Sequence, residues 1–245
     1  MRRLLSAALL LAPTLAAAQA TTTPAQAPDR GTRAVPANRD ADKPVAGGGV
    51  GVPGWALQLD RAGAGAPKFV RAGAGYRVTA GPAAIYYDAT KAASGPYAVR
   101  ATFTQTKNPA HPEAYGLFVG GRNLGADAAS YTYFIIRGDG RYAIKQRAGA
   151  GGAKTLFDFV ASPALHTADA AGKATNALRI HVAADSVHFY ANDQLVTALA
   201  LSATGPLAGV AGFRVNHNLD VQVDEFAVTP GAGKGGAAKA ADRGR

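Results

Sequence analysis

Short runs in which apolar and polar residues alternate recur through the middle of the chain. Leu178, Ile180 and Val182 alternate with Arg179 and His181, for example. Because successive side chains of a strand point to opposite faces of a sheet, a period of two predicts β-strands with one apolar face. Helical periodicity is scarce in this part of the chain, so we predict an all-β domain.

Such runs occur at the spacing typical of a sandwich or barrel, and they amount to about a dozen strands. The predicted strands are Trp55–Leu59, Tyr76–Ala80, Ala84–Tyr87, Val99–Phe103, Tyr115–Gly120, Tyr131–Arg137, Arg141–Arg147, Thr155–Val160, Leu178–Val182, Val187–Phe189, Gln194–Leu199, Val210–Val215 and Val221–Phe226. The last run contains one slip in its alternation. We therefore predict a single β-sandwich or β-barrel over residues 55–229.

Two turn sequences set the expected register of neighbouring strands. Asp139-Gly140 readily takes the positive φ angles of a two-residue hairpin loop, which would place Arg137 opposite Tyr142. Asn192-Asp193 is a second such turn, and together with Ala184-Asp185 it predicts a three-stranded meander from Leu178 to Leu199.

The two ends of the chain differ from the middle in composition. Residues 1–20 resemble a secretory signal, with Arg2-Arg3 before an apolar run and Ala18-Gln19-Ala20 as the cleavage site. The run is too short to be a transmembrane segment, so we predict export to a periplasm or to the outside of the cell. Residues 21–54 and 230–245 lack periodic apolar residues, which predicts a flexible leader and a disordered Gly/Ala/Lys tail.

The net charge of +10 is spread over the whole chain. Between Trp55 and Val228 there are 16 basic and 12 acidic residues, which leaves a net charge of +4. These basic residues occur singly and form no nucleic-acid motif, so no nucleic-acid partner is expected. The chain has no cysteine, which excludes disulfides, thiolate metal sites and a cysteine nucleophile.

The run from Tyr131 to Ile144 resembles the central hairpin of concanavalin A-like, laminin G-like jelly-roll domains. Later segments are similar to the closing strands of such domains, in the same order: Leu178–Val182, Val187–Asp193, Gly209–Phe213 and Asp224–Val228. The resemblance covers most of residues 55–228 and implies a two-sheet jelly roll. Lectins, glucanases, lyases and adhesion modules share this fold, so the resemblance implies no single activity.

The carboxylates of this chain do not form the pair that a hydrolase of this superfamily needs. The densest acidic stretch is Asp220–Glu225, where alternation puts Asp220 and Asp224 on one face and Glu225 on the other. This stretch also falls on the closing strand, which we expect at a sheet edge. Calcium is common in jelly rolls, and the resemblance implies Asp60 and Asp224 as oxygen ligands if the first and last strands meet.

The predicted meander brings four polar side chains to one outward face. It places His181 opposite His188 and Arg179 opposite Tyr190, and these four residues are called the Arg179 face below. A polysaccharide lyase would need such groups as a proton acceptor and as a partner for the sugar carboxylate. The same groups suit binding alone, or they form the solvated side of a sheet.

We predict an exported, non-catalytic binding module for a glycan or cell-envelope polysaccharide. The candidate ligand-binding residues are Arg179, His181, His188, Tyr190, Arg137 and Tyr142. An acidic polymer is the preferred ligand because a guanidinium pairs with uronate or sulfate groups. The alternatives are a lyase or glycoside hydrolase that uses the Arg179 face, and an adhesion domain that contacts protein through exposed Tyr131, Tyr133 and Tyr142.

Overall fold

The computed structural model describes residues 42–61 and 65–231. The predicted signal peptide lies outside these residues, as do residues 21–41 of the predicted leader and residues 232–245 of the predicted tail. No helix within the two described ranges has the length and apolar character that a membrane span requires.

The described residues form strands joined by short loops, with one short helix and one 3-10 turn. In chain order the elements are β1 (Gly49–Val50), β2 (Trp55–Leu59), β3 (Lys68–Ala72), β4 (Gly75–Thr79), β5 (Ala84–Ala93), β6 (Tyr97–Gln105), β7 (Ala114–Arg122), β8 (Ser130–Arg137), β9 (Arg141–Ala148), the 3-10 turn (Gly149–Gly151), β10 (Ala153–Ala161), β11 (Ala174–Val182), β12 (Ser186–Ala191), β13 (Gln194–Ala200), α1 (Leu201–Thr204), β14 (Gly209–Val215) and β15 (Asp220–Pro230). All predicted strands are present. β1 and β3 were not predicted.

Two sheets pack face to face. Sheet A has the strand order β1-β3-β4-β15-β6-β11-β12-β13, and sheet B has the order β10-β9-β8-β7-β14-β5-β2. Every pairing is antiparallel except the parallel pairing of β1 with β3. The predicted two-sheet antiparallel sandwich is confirmed.

Aromatic and branched side chains from the inward positions of both sheets fill the core. Trp55 lies 5.4 Å from Phe69 and 5.3 Å from Phe213, measured between ring centroids. Phe189 from sheet A packs 5.4 Å from Phe134 of sheet B. The period of two seen in the sequence therefore corresponds to burial between the sheets.

The folded part of the chain begins earlier than the predicted boundary at Trp55. Gly49-Val50 pairs with Lys68-Phe69, and Val52 is 2% exposed in the core. The backbone N–H of Lys43 donates to Asn218 Oδ1 at 2.9 Å. Residues 42–54 are held mainly by backbone hydrogen bonds, which leave no periodic apolar pattern in the sequence.

The predicted register of the β8–β9 hairpin is wrong by one residue. Tyr142 lies opposite Ile136, not Arg137. The loop contains three residues because Gly140, at φ +76°, donates its N–H to the Arg137 carbonyl at 3.1 Å. A one-residue shift moves every side chain to the other face. Tyr142 is therefore a core residue rather than a ligand-binding one: its ring stacks on Phe157, and it is 4% exposed.

Strand β15 lies inside sheet A, between β4 and β6, and not at an edge. Its pairing with β6 shifts between Asp224 and Ala227, so the slip in the sequence alternation is a β-bulge. Glu225 has φ +54° in this bulge, and its carboxylate accepts a hydrogen bond from Thr102 on the outer face of sheet A. The prediction that Glu225 lies on the face opposite to Asp224 is therefore wrong.

Candidate functional site

The four residues of the Arg179 face come together as the sequence predicts. In the β11–β12 pair His181 lies opposite His188, and Arg179 lies opposite Tyr190. All four side chains are partly exposed on the outer face of sheet A, whereas Ile180 on the inner face is fully buried. The connecting turn is short and the two strands follow one another in the chain, which is why local alternation was sufficient to predict this register.

Arg179 stacks on the ring of its cross-strand partner. Its guanidinium carbon lies 3.8 Å from the centroid of the Tyr190 ring. This cation–π contact holds the guanidinium plane against the sheet and leaves its N–H donors at the edge of the plane. Among the described residues no carboxylate forms an ion pair with Arg179. The Tyr190 ring therefore positions the Arg179 guanidinium, and no described carboxylate neutralises its charge.

Two charged residues that were not predicted complete the site. Arg100 of β6 is the cross-strand partner of Arg179. The Glu225 carboxylate lies 3.9 Å from the Arg100 guanidinium, and both side chains are more than half exposed. Like charges directly opposite each other destabilise a sheet, so the two arginines are an unfavourable pair that one exposed carboxylate offsets only in part. Arg100 lies between the inward residues Val99 and Ala101 and so faces outward, but no local signal in the sequence pairs β6 with β11.

A small cleft of about 170 Å³ lies between these side chains. Its polar lining consists of Arg100, Thr102, Arg179, Tyr190, Asp193 and Glu225. Guanidinium donors, carboxylate acceptors and one aromatic ring thus converge on one shallow surface. Such a surface can hold a polar ring by hydrogen bonds and apolar contact, but it does not enclose it.

The two histidines adjoin this cleft. Their ring centroids lie 5.9 Å apart with an interplanar angle of 22°. Burial, the neighbouring His188 and Arg179 all lower the pKa of His181. The His181 imidazole is therefore neutral at neutral pH, and it can accept a hydrogen bond or a proton.

The outer face of sheet B carries a second set of aromatic and charged residues. Tyr131 and Tyr133 are 3% and 4% exposed there, in a cluster with Phe118. Arg214 donates to Tyr131 Oη at 3.4 Å and lies 5.0 Å from the Tyr133 ring centroid. We call these residues, with Asp60, the Arg214 cluster. The tyrosines proposed for protein adhesion are therefore not exposed, and Tyr142 is on the opposite side of the sheet.

Arg214 and Asp60 form an ion pair within this cluster. Arg214 Nη1 lies 2.8 Å from Asp60 Oδ1, and a second contact joins Nη2 to Oδ2. Burial alone would raise the pKa of Asp60, but the hydrogen bonds and charge of Arg214 and the charge of Arg147 lower it overall. Burial raises the pKa of both Tyr131 and Tyr133. The cluster is thus internally neutralised.

The remaining predicted residues do not join the Arg179 face. Arg137 is on sheet B, where it pairs with Asp139 and lies 4.3 Å from the Phe159 ring centroid. Asp60 directly follows β2 of sheet B and Asp224 is on β15 of sheet A, so the expected meeting of first and last strands is wrong. Within the described ranges, no group of three or more His, Asp or Glu side chains is arranged to hold a metal ion.

Comparison with known proteins identifies the fold. No protein-family model matches the sequence, and no curated protein matches it. Among solved structures, the carbohydrate-binding module CBM66 from Bacillus subtilis aligns with a TM-score of 0.53 at 12% identity, covering 72% of this chain and 95% of that one. A Bacillus subtilis protein of unknown function with a galectin-like fold aligns with a TM-score of 0.51 at 14% identity, covering 71% and 88%. The domain has a concanavalin A-like jelly-roll fold.

Proposed function

We propose that this protein is an exported, non-catalytic module that binds an acidic glycan at the Arg179 face. The observation that carries the proposal is the guanidinium of Arg179, which is held on the Tyr190 ring without a carboxylate partner among the described residues. An acidic sugar would supply the missing anion. Export rests on the predicted signal sequence.

The chemistry of the cleft fits a uronate-containing polymer. A guanidinium matches a carboxylate through two parallel hydrogen bonds, so Arg179 would hold the acid group and Arg100 would lie beside it. The exposed part of Tyr190 would contact the C–H groups of the sugar ring. Asp193 and Glu225 would accept hydrogen bonds from sugar hydroxyl groups.

Two further features support a binding role over catalysis. The cleft is small and lies on an open sheet face, which suits an extended chain that is bound along its length. One structural neighbour, CBM66, is itself described as a carbohydrate-binding module, although the likeness at this identity concerns the fold. Binding would be sensitive to salt because exposed charges carry it.

The test compares two arginines in the full mature chain. Arg179→Ala is expected to weaken binding of polygalacturonate about tenfold, the effect of losing one charge-assisted contact of ~1.4 kcal/mol. Arg122→Ala is the matched control because Arg122 is an exposed arginine on sheet B. Affinity would be measured by isothermal titration at low and at physiological salt, with neutral dextran as the control ligand.

Equal losses of polygalacturonate affinity in the two variants would contradict the proposal, because the net charge of the protein would then explain the binding. The same holds if polygalacturonate and dextran bind with equal affinity. Thermal melting of both variants checks that the fold is intact.

A polysaccharide lyase is the second candidate, and the neutral His181 favours it. A neutral imidazole beside a guanidinium can accept a proton from a sugar whose carboxylate is paired with Arg179. Absorbance of unsaturated products from polygalacturonate or alginate would test this candidate. Product formation that is lost in His181→Gln would replace the binding proposal, and no product from either polymer would eliminate the lyase.

A further inference from the structure

A second cleft lies at one end of sheet A, about 530 Å³ in volume. It is bounded by residues 43–46, by the β3–β4 pair and by the loop that follows β6. Three lysines from these three parts of the chain line it: Lys43, Lys68 and Lys107. We call it the lysine cleft.

No carboxylate is among the described residues that line the lysine cleft. All three lysine side chains are exposed, and none forms an ion pair with a described residue. Two carboxylates adjoin the cleft, and each has a basic partner. Asp220 binds Arg77 through two hydrogen bonds of 2.9 and 3.1 Å, and Asp42 contacts His217 Nδ1. Among the described residues, the three ammonium groups therefore have no carboxylate partner within the cleft.

The walls of the cleft are fixed by the fold. The backbone N–H of Lys43 donates to Asn218 Oδ1, and the Asn218 N–H donates to the Gly81 carbonyl at 3.0 Å. A Cβ at Gly81 would lie 2.1 Å from the Lys43 carbonyl oxygen, so only glycine allows residues 42–46 to pack this closely. Lys68 lies opposite Thr79 in the β3–β4 pair. The three lysines thus converge because the backbone around them is held in place.

We propose that the lysine cleft binds phosphate or sulfate ester groups carried on a polymer. An ammonium group is a compact point charge with three N–H donors, and it suits the tetrahedral, multiply charged oxyanion, which offers oxygens in several directions. The backbone amides and the Thr79 and Asn108 side chains add neutral hydrogen-bonding groups. The volume falls in the range of small-molecule sites, which leaves room for the sugar or other unit that bears the ester.

The lysine cleft and the Arg179 face carry their positive charge on different chemical groups. The cleft beside the Arg179 face combines two guanidiniums with the carboxylates of Asp193 and Glu225, whereas the charged groups among the described residues of the lysine cleft are all ammonium groups. The two sites are therefore expected to respond to different variants. The present proposal does not depend on the proposed function, and the two can fail independently.

The experiment compares two triple variants of the full mature chain with the same change in net charge. K43Q/K68Q/K107Q removes the cleft lysines, and K91Q/K154Q/K173Q removes three exposed lysines elsewhere. The probes are dextran sulfate for polymer-borne esters, inorganic tripolyphosphate for the free anion, and polygalacturonate for carboxylates. Affinities would be measured by isothermal titration at fixed salt.

The cleft variant is expected to bind dextran sulfate about tenfold more weakly than the parent, and the control variant less than about threefold more weakly. Both variants should bind polygalacturonate nearly as the parent does. Arg179→Ala should weaken polygalacturonate binding and should not reproduce the tenfold loss for dextran sulfate, which separates this proposal from the proposed function.

Three results would overturn the proposal. One is an equal loss of dextran sulfate affinity in both triple variants, which would reflect net charge. Another is binding of tripolyphosphate with no binding of dextran sulfate, which would make the cleft a site for free anions. The third is no measurable binding of dextran sulfate by the parent. Thermal melting identifies any variant that fails to fold, and the single K107Q variant, in a loop, then replaces the triple one.

Discussion

An arginine lies against a tyrosine ring on the outer face of each sheet, yet the two pairs differ in distance, in exposure and in whether the arginine has a carboxylate partner. Arg179 stacks on Tyr190 at 3.8 Å, is partly exposed and has no ion-pair partner among the described residues. Arg214 lies 5.0 Å from Tyr133, its side chain is 8% exposed, and it pairs with Asp60. Residue type alone therefore does not distinguish a ligand-binding surface from a structural cluster. Burial and the presence of a counter-charge distinguish them.

The difference has an energetic basis. A buried guanidinium must have a partner because the free energy of removing an unpaired charge from water is several kcal/mol. An exposed guanidinium keeps its hydration and can exchange it for a ligand. We therefore expect substitutions in the Arg214 cluster to alter stability, and those at the Arg179 face to alter binding. Four predictions test this contrast.

The largest effect concerns the two sides of β12. Phe189→Ala is expected to lower the free energy of unfolding by about 3–5 kcal/mol, because it empties a fully buried aromatic position. His188→Ala, one residue away on the outer face, should cost less than about 1 kcal/mol. Urea denaturation measures both. Equally large losses would show that the outer face of sheet A is as buried as that of sheet B.

The next effect compares the two arginines directly. Arg214→Ala should cost about 3 kcal/mol, the lower end of the range for breaking a buried ion pair, because 32% of the Asp60 side chain remains exposed to water. Arg179→Ala should cost less than about 1 kcal/mol, as expected for an exposed cation–π contact. The same denaturation assay applies. A stability loss at Arg179 that matches the loss at Arg214 would contradict the contrast.

A smaller effect concerns the tyrosine hydroxyl groups. Tyr131→Phe removes the acceptor of a hydrogen bond from Arg214 and should cost about 1 kcal/mol. Tyr190→Phe leaves the ring under Arg179 in place and should leave stability within about 0.5 kcal/mol of the parent. Differential scanning calorimetry can resolve the two. An unchanged melting temperature in Tyr131→Phe would mean that this hydroxyl group does not support the cluster.

The smallest effect is the dependence of stability on pH, which should occur in two separate ranges. The lowered pKa of His181 contributes stability that is complete above the ordinary pKa of about 6.5 and is lost as pH falls through the lowered value. The lowered pKa of Asp60 contributes stability that is complete above about 3.9 and is lost at still lower pH. The unfolded state binds the proton first in both cases, so acid destabilises the fold.

Denaturation between neutral pH and pH 2.5 measures these two contributions. His181→Gln should remove the loss that begins as pH falls below about 6.5, and Asp60→Asn should remove the loss that begins below about 3.9. If Asp60→Asn instead removed the stability change at the higher pH, which is assigned to His181, the assignment would be wrong.

The sequence could predict the features that depend on residues close to one another in the chain. Alternation identified the strands and the inward residues, such as Phe189 and Ile180, because side-chain direction has a fixed period in a strand. It also predicted the His181–His188 and Arg179–Tyr190 pairs, because β11 and β12 are joined by a short turn. The same method failed for Tyr142, since Gly140 lengthens its turn by one residue.

Other features follow from contacts between distant parts of the chain, and only the tertiary structure decided them. β6 precedes β11 by many residues, so no local pattern places Arg100 beside Arg179, and the bulge that brings Glu225 to this face depends on pairing with β6. The three lysines of the cleft also come from separate segments. The sequence determined which side chains share a strand face, because that depends on local geometry. The tertiary structure determined which charges meet and which are buried, because that depends on which strands lie side by side.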